Sequence, residues 1–474
     1  MVTELVKSEN IYQAAFRSLR ESSSTMAWLE LVRSSAMDRF EQLGFPSVSE
    51  EDWKYTNLAT LAKEEFEPVM AGFGKTLAGH YAYPETAEAH LVVVDGFLRE
   101  DLSTKAGLGD VVAVDLFSAV EDVRYNKIIR KYLARYAGYH NNGLTALNTA
   151  FLQSGVFLWI PKNIKLERPL QITFVADAEN GASFPRLLVV AEGNSSATLI
   201  ESFAASNGGK YFTNAIAEIV LKDGAQLEHY RVQRESNGAY HVSTTSAELG
   251  RASRYDTTSI NLGARLSRHD VSVVLDHEGA ETAVDGLYMV GSDQHSDTHS
   301  VIDHKQPHCT SHQLYKGILD GNGRAVFNGK IFVREGAQKT DAQQTNKNLL
   351  LSEKARVDTK PQLEIYADDV KCTHGATVGR LDELALFYMK SRGVGAEQAR
   401  RLLTYAFAAD VLETIETPAV REMLERLTLE RFTSAVFTED AGESADAGSD
   451  ASEDRGARPL AGAGGRARVP AIEP

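Results

Sequence analysis

The sequence is short of cysteine, of long apolar runs and of positive charge. Its two cysteines, Cys309 and Cys372, are too few for a disulfide framework or for the four thiolates that usually hold a metal–sulfur cluster within one chain. Nowhere do about 18 apolar residues run uninterrupted, as a membrane-spanning helix requires. With 50 basic against 65 acidic residues, the formal charge of -15 argues against nonspecific binding to nucleic acid or to anionic membranes.

What the sequence does have is an ordinary globular composition. Hydrophobic residues make up 43% and charged residues 24% of 474 positions, which is enough for a large core and for more than one domain. The first residues, MVTELVKSENIYQ, lack the continuous apolar stretch of a signal peptide. We therefore expect a cytoplasmic protein.

The apolar pattern divides the chain into regions. In MAWLELVRSSAMDRFEQL the residues Trp28, Leu31, Val32 and Met37 recur at helical steps, which predicts a helical domain over residues 1–90. Short apolar runs then take over, beginning with LVVVDG and VVAVDL and interrupted by one helical patch at KYLARYA. Most of the region from 91 to 375 therefore consists of predicted strands.

The predicted strand region carries a weak internal repeat. Turn residues followed by alternating apolar residues recur in EGNSSATLIES, KDGAQLEHYRV, HEGAETAVDGLYMV and NGRAVFNGKIFV. Many short strands without intervening helices exclude a doubly wound α/β sheet and leave a sandwich, a barrel or a stacked β-helix. Stacked turns that bury one face against their neighbours favour the β-helix.

A helical period returns after residue 376. A first helix begins near Leu381 and ends at Gly393, a second carries Ala399 to Val411 on its apolar face, and a third carries Val420 to Leu427. We expect a small helical domain over 376–437. Residues 438–474 are rich in Ala, Gly, Ser and Asp and have few apolar residues, so we expect a disordered tail.

Common catalytic signatures are missing from the sequence. It has no complete phosphate-binding loop, no H-E-x-x-H and no G-x-S-x-G. A β-helix carbohydrate lyase or hydrolase stays open as an alternative, because Asp285, Asp297 and Asp303 could supply an acid and a base. No spacing singles out a pair among these carboxylates.

Histidines are dense between residues 295 and 312, in QHSDTHSVIDHKQPHCTSH. They are His295, His299, His304, His308 and His312. Imidazole and thiolate groups suit zinc or iron, but residues four apart on a strand lie roughly 13 Å from each other. A metal site here would need histidines from adjacent strands. Polar strand faces and a partner interface are the competing interpretations.

Cys372 and His374 occur together in DDVKCTHGATVGRLD. If this stretch continues the last strand, the two side chains share one face, and Gly375 and Thr377 end the strand. Three interpretations stay open from the residues alone. The pair is a nucleophile with its base, a structural filling of the strand end, or a set of metal or cluster ligands shared with another chain.

Several long stretches resemble one protein family. KCTHGATVGRLDELALFYMKSRGV, YKGILDGNGRAVFNGKIFV, QKTDAQQTNKNLLLSEKARVDTKPQLEIYADDV and EEDWKYTNL resemble the SufB/SufD family of the Suf system for iron–sulfur cluster assembly. The likeness extends to about residue 415. The C-x-H-G-A-T pattern and the low cysteine count resemble the SufD branch, since SufB carries a glutamate-containing version and more cysteines.

This resemblance implies a fold and a set of partners. The fold is a mainly β protein with a right-handed parallel β-helix core between N-terminal and C-terminal helical domains. The function is that of a non-catalytic scaffold subunit that pairs with SufB and docks one copy of the ATPase SufC. A SufB-like subunit that nucleates a cluster by itself is the nearer alternative, and pairing of the chain with itself in the absence of SufB stays open.

The resemblance also assigns site residues. Cys372 and His374 are the expected contribution to cluster assembly at the SufB interface, and they are the expected metal ligands, shared with the partner. No cofactor is expected to bind tightly to the isolated chain, while iron or a cluster could be held transiently at the interface. For SufC binding, the first C-terminal helix is expected to bury Leu381, Leu384, Phe387 and Tyr388 against the second helix. A polar ridge ending in Lys390, Arg392 and Gly393 would then face SufC. The residues expected to bind SufC are Phe387, Tyr388, Lys390, Arg392 and Gly393.

Overall fold

The structure is a computed structural model that describes residues 10–22, 25–74 and 78–431. The predicted tail over 438–474, the end of the predicted helical domain and the first nine residues lie outside the described residues. Among the described residues, no helix is both long and apolar enough to cross a membrane.

The α-helices lie in the first third and near the C-terminal end of the described chain. They are α1 (Ile11–Ser22), α2 (Ala27–Leu43), α3 (Leu116–Glu121), α4 (Asn126–Tyr132), α5 (Gly143–Ala150), α6 (Glu383–Ser391), α7 (Ala396–Leu412) and α8 (Pro418–Arg431).

The first strands lie between α2 and α3, and the others lie between α5 and α6. The early strands are β1 (Glu67–Pro68), β2 (His90–Val94), β3 (Phe97–Leu98), β4 (Val112–Asp115), β5 (Val156–Ile160), β6 (Leu170–Ala176), β7 (Gly181–Ser183) and β8 (Arg186–Ala191). The longer strands that follow are β9 (Ser196–Ala205), β10 (Phe212–Leu221), β11 (Gln226–Gln233), β12 (Tyr240–Leu249), β13 (Arg254–Asn261), β14 (Leu266–Leu275), β15 (Glu281–Val290), β16 (His295–His304), β17 (Thr310–Leu319), β18 (Arg324–Val333), β19 (Asp341–Leu350), β20 (Arg356–Ile365) and β21 (Lys371–Gly379).

From β8 onward the main strands alternate between two sheets. The first sheet has the order β20-β18-β16-β14-β12-β10-β8-β5-β4, and the second has the order β21-β19-β17-β15-β13-β11-β9-β6-β2-β3. Neighbours in the run from β8 to β21 pair in parallel, so the chain winds through both sheets once per turn. This is a parallel β-helix of about eight turns, and the predicted fold class is confirmed.

The interior of the β-helix is filled by alternate residues of every strand. Along the first sheet, Ile219 of β10 stacks on Ala247 of β12, which stacks on Val273 of β14. These side chains belong to one buried core cluster whose members extend from Ala89 to Ala367. The predicted turn-then-strand repeats correspond to β9, β11, β15 and β18. Alternation therefore identified these strands, because one face of each is buried.

The N-terminal helices cover the outer face of the first sheet. Tyr12, Phe16 and Phe40 pack with Phe212 and Tyr240. The helix predicted from MAWLELVRSSAMDRFEQL is confirmed as α2, but the residues that revealed its period do not all face the core. Leu31 is 70% exposed, whereas Leu29 is 1% exposed.

The C-terminal helices α7 and α8 pack on the outer face of the second sheet. Val411 and Leu424 contact a cluster that includes Tyr230, Ile260 and Ile318. The predicted second and third C-terminal helices are confirmed by these elements. The two sheets are thus covered on different outer faces, which leaves the end of the β-helix at β20 and β21 without a helical cap in the described part of the chain.

Candidate functional site

The last turn of the β-helix ends in two open strand edges. Within the described residues, β20 pairs only with β18 and β21 only with β19. Every residue of β21 is exposed except the half-buried Cys372, whereas every residue of the central strand β10 is buried. Pro361 lies in β20, and a strand proline is confined to edges or bulges because it lacks an N–H. The last turn therefore presents unpaired backbone groups and an uncovered interior face.

Cys372 and His374 lie on the interior face of this open turn. Cys372 pairs in register with Ala342 and His374 pairs with Gln344, and both of these β19 residues are buried inside the β-helix. Cys372 packs against the edge of the core, while His374 is exposed. The predicted common face of the pair is confirmed. The predicted end of the strand at Gly375 and Thr377 is wrong, because pairing continues to Gly379.

The two thiols are held in different environments. Burial, with a smaller contribution from the nearby Asp341 carboxylate, raises the pKa of Cys372 above its ordinary value. Burial also raises the pKa of Cys309, whose Sγ donates to the His277 carbonyl oxygen at 3.3 Å. Both thiols are therefore protonated at neutral pH in this chain, and neither is a preformed thiolate ligand.

The five histidines between residues 295 and 312 do not form one cluster. His295 and His299 lie on the outer face of β16, His304 lies on its interior face, and His308 occupies the following turn at φ 62°. His312 lies on β17 in the other sheet, with its Nδ1 atom 3.6 Å from Asp285. The described residues contain no group of three or more His, Cys, Asp or Glu side chains placed to hold a metal ion.

Helix α6 turns its largest apolar side chains to the solvent. Leu384 is 78% exposed, Phe387 71% and Tyr388 59%. The expected burial of this face against the second helix is wrong, because α6 packs instead through its partly buried side chains Ala385 and Leu386. Asp382 caps the first turn by accepting from the Leu384 amide at 2.8 Å.

The polar end of α6 is exposed as well. Lys390, Arg392 and Gly393 all lie at the surface, and the Arg392 guanidinium sits 5.1 Å from the centre of the Tyr388 ring. Gly393 has φ 87°, a left-handed conformation that suits glycine and ends the helix as predicted. Phe387, Tyr388, Lys390, Arg392 and Gly393 thus belong to one exposed helix and its C-terminus.

The motif EEDWKYTNL binds the N-terminal region to the outer face of the first sheet. The Trp53 ring lies 3.8 Å from the Arg268 guanidinium, and Thr56 Oγ1 donates to Asp297 at 2.5 Å. Burial alone would raise the pKa of Asp297, but the Arg268 and His299 charges lower it below its ordinary range. These residues line or adjoin a cavity of about 450 Å³. Nothing in the sequence pattern indicated this contact, since Trp53 and Arg268 are far apart in the chain.

A buried network of ionisable side chains inside the β-helix was also not predicted. His229 binds Glu201 and the Tyr255 hydroxyl, both at 2.9 Å, and Arg231 donates to Ser243 at 2.8 Å. His241 lies 2.6 Å from Glu235. Interior positions were expected to be apolar. The only sign of this network in the sequence was a charged residue at a strand position where the alternating pattern predicts an apolar one.

The carboxylates considered for a lyase or hydrolase are not paired with each other. Asp297 binds Arg268 at 2.8 Å and Asp303 binds Arg334 at 2.8 Å, so both are engaged by arginines. Asp285 lies on the other sheet and accepts from the Leu314 amide at 2.8 Å. Nothing in this arrangement places an acid opposite a base.

Family models match two consecutive parts of the chain. The model described as "SufBD protein N-terminal region" matches residues 6–172, and that described as "SUF system FeS cluster assembly, SufBD core domain" matches residues 174–407. The second match spans most of the β-helix, the open last turn, α6 and much of α7.

Curated relatives match over most of their length. An iron–sulfur cluster assembly SufBD family protein of Synechocystis is 37% identical over 410 residues, which cover 83% of this chain and 89% of the relative. The iron–sulfur cluster assembly protein SufD of Escherichia coli is 32% identical, with 82% of this chain and 90% of the relative covered. For the SufD of Bacillus subtilis the identity is 28% and the shares are 88% and 96%.

Proposed function

The chain belongs to the SufBD family of iron–sulfur cluster assembly proteins, and we propose that it acts there as a SufD-type scaffold subunit. In this proposal it pairs with a SufB-type subunit through the open turn at β20 and β21, docks a SufC-type ATPase through α6, and performs no catalysis by itself. The nascent cluster is cargo held between the subunits, with Cys372 and His374 as this chain's contribution.

The uncovered last turn carries the pairing proposal. An open parallel edge can accept strands from a second β-helix, whose interior side chains would complete the core above Cys372 and His374. Val378 illustrates the need for a cover, because it lies on the interior face and is still 48% exposed. A related β-helix supplies the matching twist and strand spacing.

The pairing proposal is tested by coexpression with the SufB-type and SufC-type proteins of the same organism. We expect Val378→Lys to abolish copurification of the SufB-type subunit, because it places a charge on the interior face of the shared edge. Thr377→Lys, on the outer face of the same strand, is the matched control and should retain most of the binding. Equal binding of both variants would contradict pairing through this edge.

The exposed face of α6 carries the docking proposal. Three large apolar side chains on a nine-residue helix, at 78%, 71% and 59% exposure, form a patch that a monomeric protein rarely leaves uncovered. Lys390 and Arg392 border the patch and favour an acidic rim on the partner. A nucleotide-driven movement of the ATPase could reach the open turn through α6, since α6 follows β21 directly.

Docking through α6 is separable from pairing. We expect Leu384→Asp with Phe387→Asp to release the SufC-type ATPase and to leave the SufB-type subunit bound. Because both side chains are already exposed, the melting temperature should stay within a few degrees. Ala385 is partly buried, so Ala385→Asp should destabilise the helix and serves as the structural comparison.

The cargo proposal concerns the isolated chain. With two protonated thiols, one in the turn before β17 and one on β21, and no group of three metal-ligating residues among those described, the purified protein should retain no stoichiometric cluster after anaerobic reconstitution. In the complete complex, His374→Ala should lower cluster formation without a change in melting temperature. A stable cluster on the isolated chain would contradict the assignment of the site to the interface.

A further inference from the structure

A column of three polar side chains leads from the interior of the β-helix to His374. Gln313 of β17 pairs in register with Gln344 of β19, which pairs with His374 of β21. Adjacent strands are about 4.8 Å apart, so each side chain in the column lies next to the following one. Gln313 is 0% exposed and Gln344 is 1% exposed, so the column is buried up to the open turn.

Hydrogen bonds fix the orientation of the Gln344 amide. The Oε1 atom of Gln313 accepts from Ser300 Oγ at 3.1 Å and from Gln344 Nε2 at 2.7 Å. With the Gln313 oxygen facing it, a flipped Gln344 amide would set two carbonyl oxygens against each other, so in this arrangement its nitrogen faces Gln313. The Gln344 Oε1 atom is consequently left as a buried acceptor without a partner within the described residues.

Gly329 on the opposite sheet provides the space for this amide. A Cβ atom added at Gly329 would lie 2.4 Å from Gln344 Nε2 and 3.0 Å from Gln344 Cδ. These contacts are shorter than van der Waals distance, so no other residue fits there without moving the amide. Gly329 belongs to the stretch YKGILDGNGRAVFNGKIFV, for which the proposed function gave no role.

We propose that Gln344 is a positioning residue for His374. Its Oε1 atom accepts one ring N–H of the His374 imidazole, which is the next side chain in the column and is free to turn at the exposed edge. The bond satisfies a buried acceptor that is otherwise costly to leave unpaired. It also selects one neutral tautomer and leaves the other ring nitrogen bare, as histidines that bind metal ions require.

This role rests on the proposed function, in which the bare nitrogen faces the iron of the cargo. The proposed hydrogen bond joins two residues of the same chain. It can therefore be measured without a partner, a metal ion or a cluster.

The test measures the ratio of the two neutral tautomers of His374 in the purified full-length chain. Histidine ring nitrogens are labelled with ¹⁵N, and long-range ¹H–¹⁵N correlations are recorded near pH 8.5, where imidazoles are neutral. The His374→Gln variant assigns its signal among the 13 histidines. We expect one dominant tautomer in the unmodified chain, and a tautomer ratio that falls by about two- to tenfold in Gln344→Met.

Two further variants provide a second perturbation of the Gln344 amide and a control. Gly329→Ala displaces the amide without removing it and should shift the ratio in the same direction, so the test survives a folding failure of Gln344→Met. Thr345→Val, on the outer face of the same strand, should leave the ratio unchanged. An unchanged ratio in both Gln344→Met and Gly329→Ala would overturn the positioning role. Failure of the chain to bind a SufB-type subunit would overturn the proposed function and leave this measurement standing.

Discussion

Glu218 holds a whole segment of backbone against the β-helix. Its carboxylate accepts from the amides of residues 134, 135, 136 and 137 at 2.8, 2.9, 2.9 and 3.2 Å. The same carboxylate binds the Arg186 guanidinium at 2.5 Å, with both side chains 0% exposed. The carboxylate thus accepts from five donors, of which four are backbone amides and one belongs to a buried guanidinium.

Glu218→Gln should be strongly destabilising for this reason. The amide leaves Arg186 as an uncompensated buried charge and turns N–H groups toward backbone donors, at a cost of about 3–5 kcal/mol. The shift in the urea midpoint measures the loss. Glu278→Gln is the matched control, since its partner Arg251 lies 3.2 Å away and both side chains are at least half exposed. Its cost should be below about 1 kcal/mol.

His304 should make stability depend on pH. Burial lowers the pKa of this interior ring to about 4, from an ordinary value of 6.5. The unfolded chain therefore binds a proton that the folded chain refuses between these two values, and stability falls as the pH drops through this window. Its Nε2 atom lies 2.8 Å from Ser311 Oγ, an arrangement that a glutamine amide can also satisfy.

The pH effect of His304 is isolated by comparison with His304→Gln. Between pH 7.5 and pH 5 the unmodified chain should lose about 2 kcal/mol more than the variant, which cannot take up the proton. Urea unfolding at both pH values gives the difference. Equal losses would show that the ring is charged in the folded state.

The position of a single residue could be predicted from the sequence only where a local repeat, such as strand alternation, determines it. The common face of Cys372 and His374 follows from strand alternation and was predicted. The Glu201–His229 pair was not, because its partners are 28 residues apart and meet only through the register of successive turns. Turns of this β-helix differ in length, so the register cannot be counted along the chain.

At the scale of elements, periodicity identified helices better than it oriented them. In α2 the apolar residues do not lie on one face, because charged Arg33 is buried while Leu31 is exposed. The apolar residues alone therefore did not mark the covered face. In α6 three large apolar residues face the solvent, which contradicts the rule that such a stripe is buried within its own chain. A partner surface and a core face have the same pattern in sequence.

Two leucines of α2 test its orientation directly. Leu29→Ala should cost about 2–5 kcal/mol, because this side chain is 1% exposed in a packed cluster. Leu31→Ala should change stability by less than about 0.5 kcal/mol, because Leu31 is 70% exposed. Thermal melts of the two variants provide the comparison. A larger loss for Leu31→Ala would mean that α2 is rotated about its axis.

At the scale of the molecule, stability is distributed along the β-helix. Central strands such as β12 have a neighbour on each side and cover on both faces, while β20 and β21 have one neighbour and exposed side chains. Turns that contact only their neighbours contribute nearly additively, so the last turn opens at the lowest free energy. The site residues are thus carried by the least stable turn.

Amide hydrogen exchange should resolve this gradient and its change on assembly. In the free chain we expect slow exchange in β12 and β14 and fast exchange in β20 and β21. Binding of a SufB-type subunit should slow β20 and β21 by on the order of tenfold or more, because an added strand gives their free backbone groups partners. Addition of a SufC-type ATPase alone should instead slow α6 and the start of α7. Protection confined to the outer faces of the sheets would contradict end-to-end pairing, because that arrangement leaves the strand edges open to water.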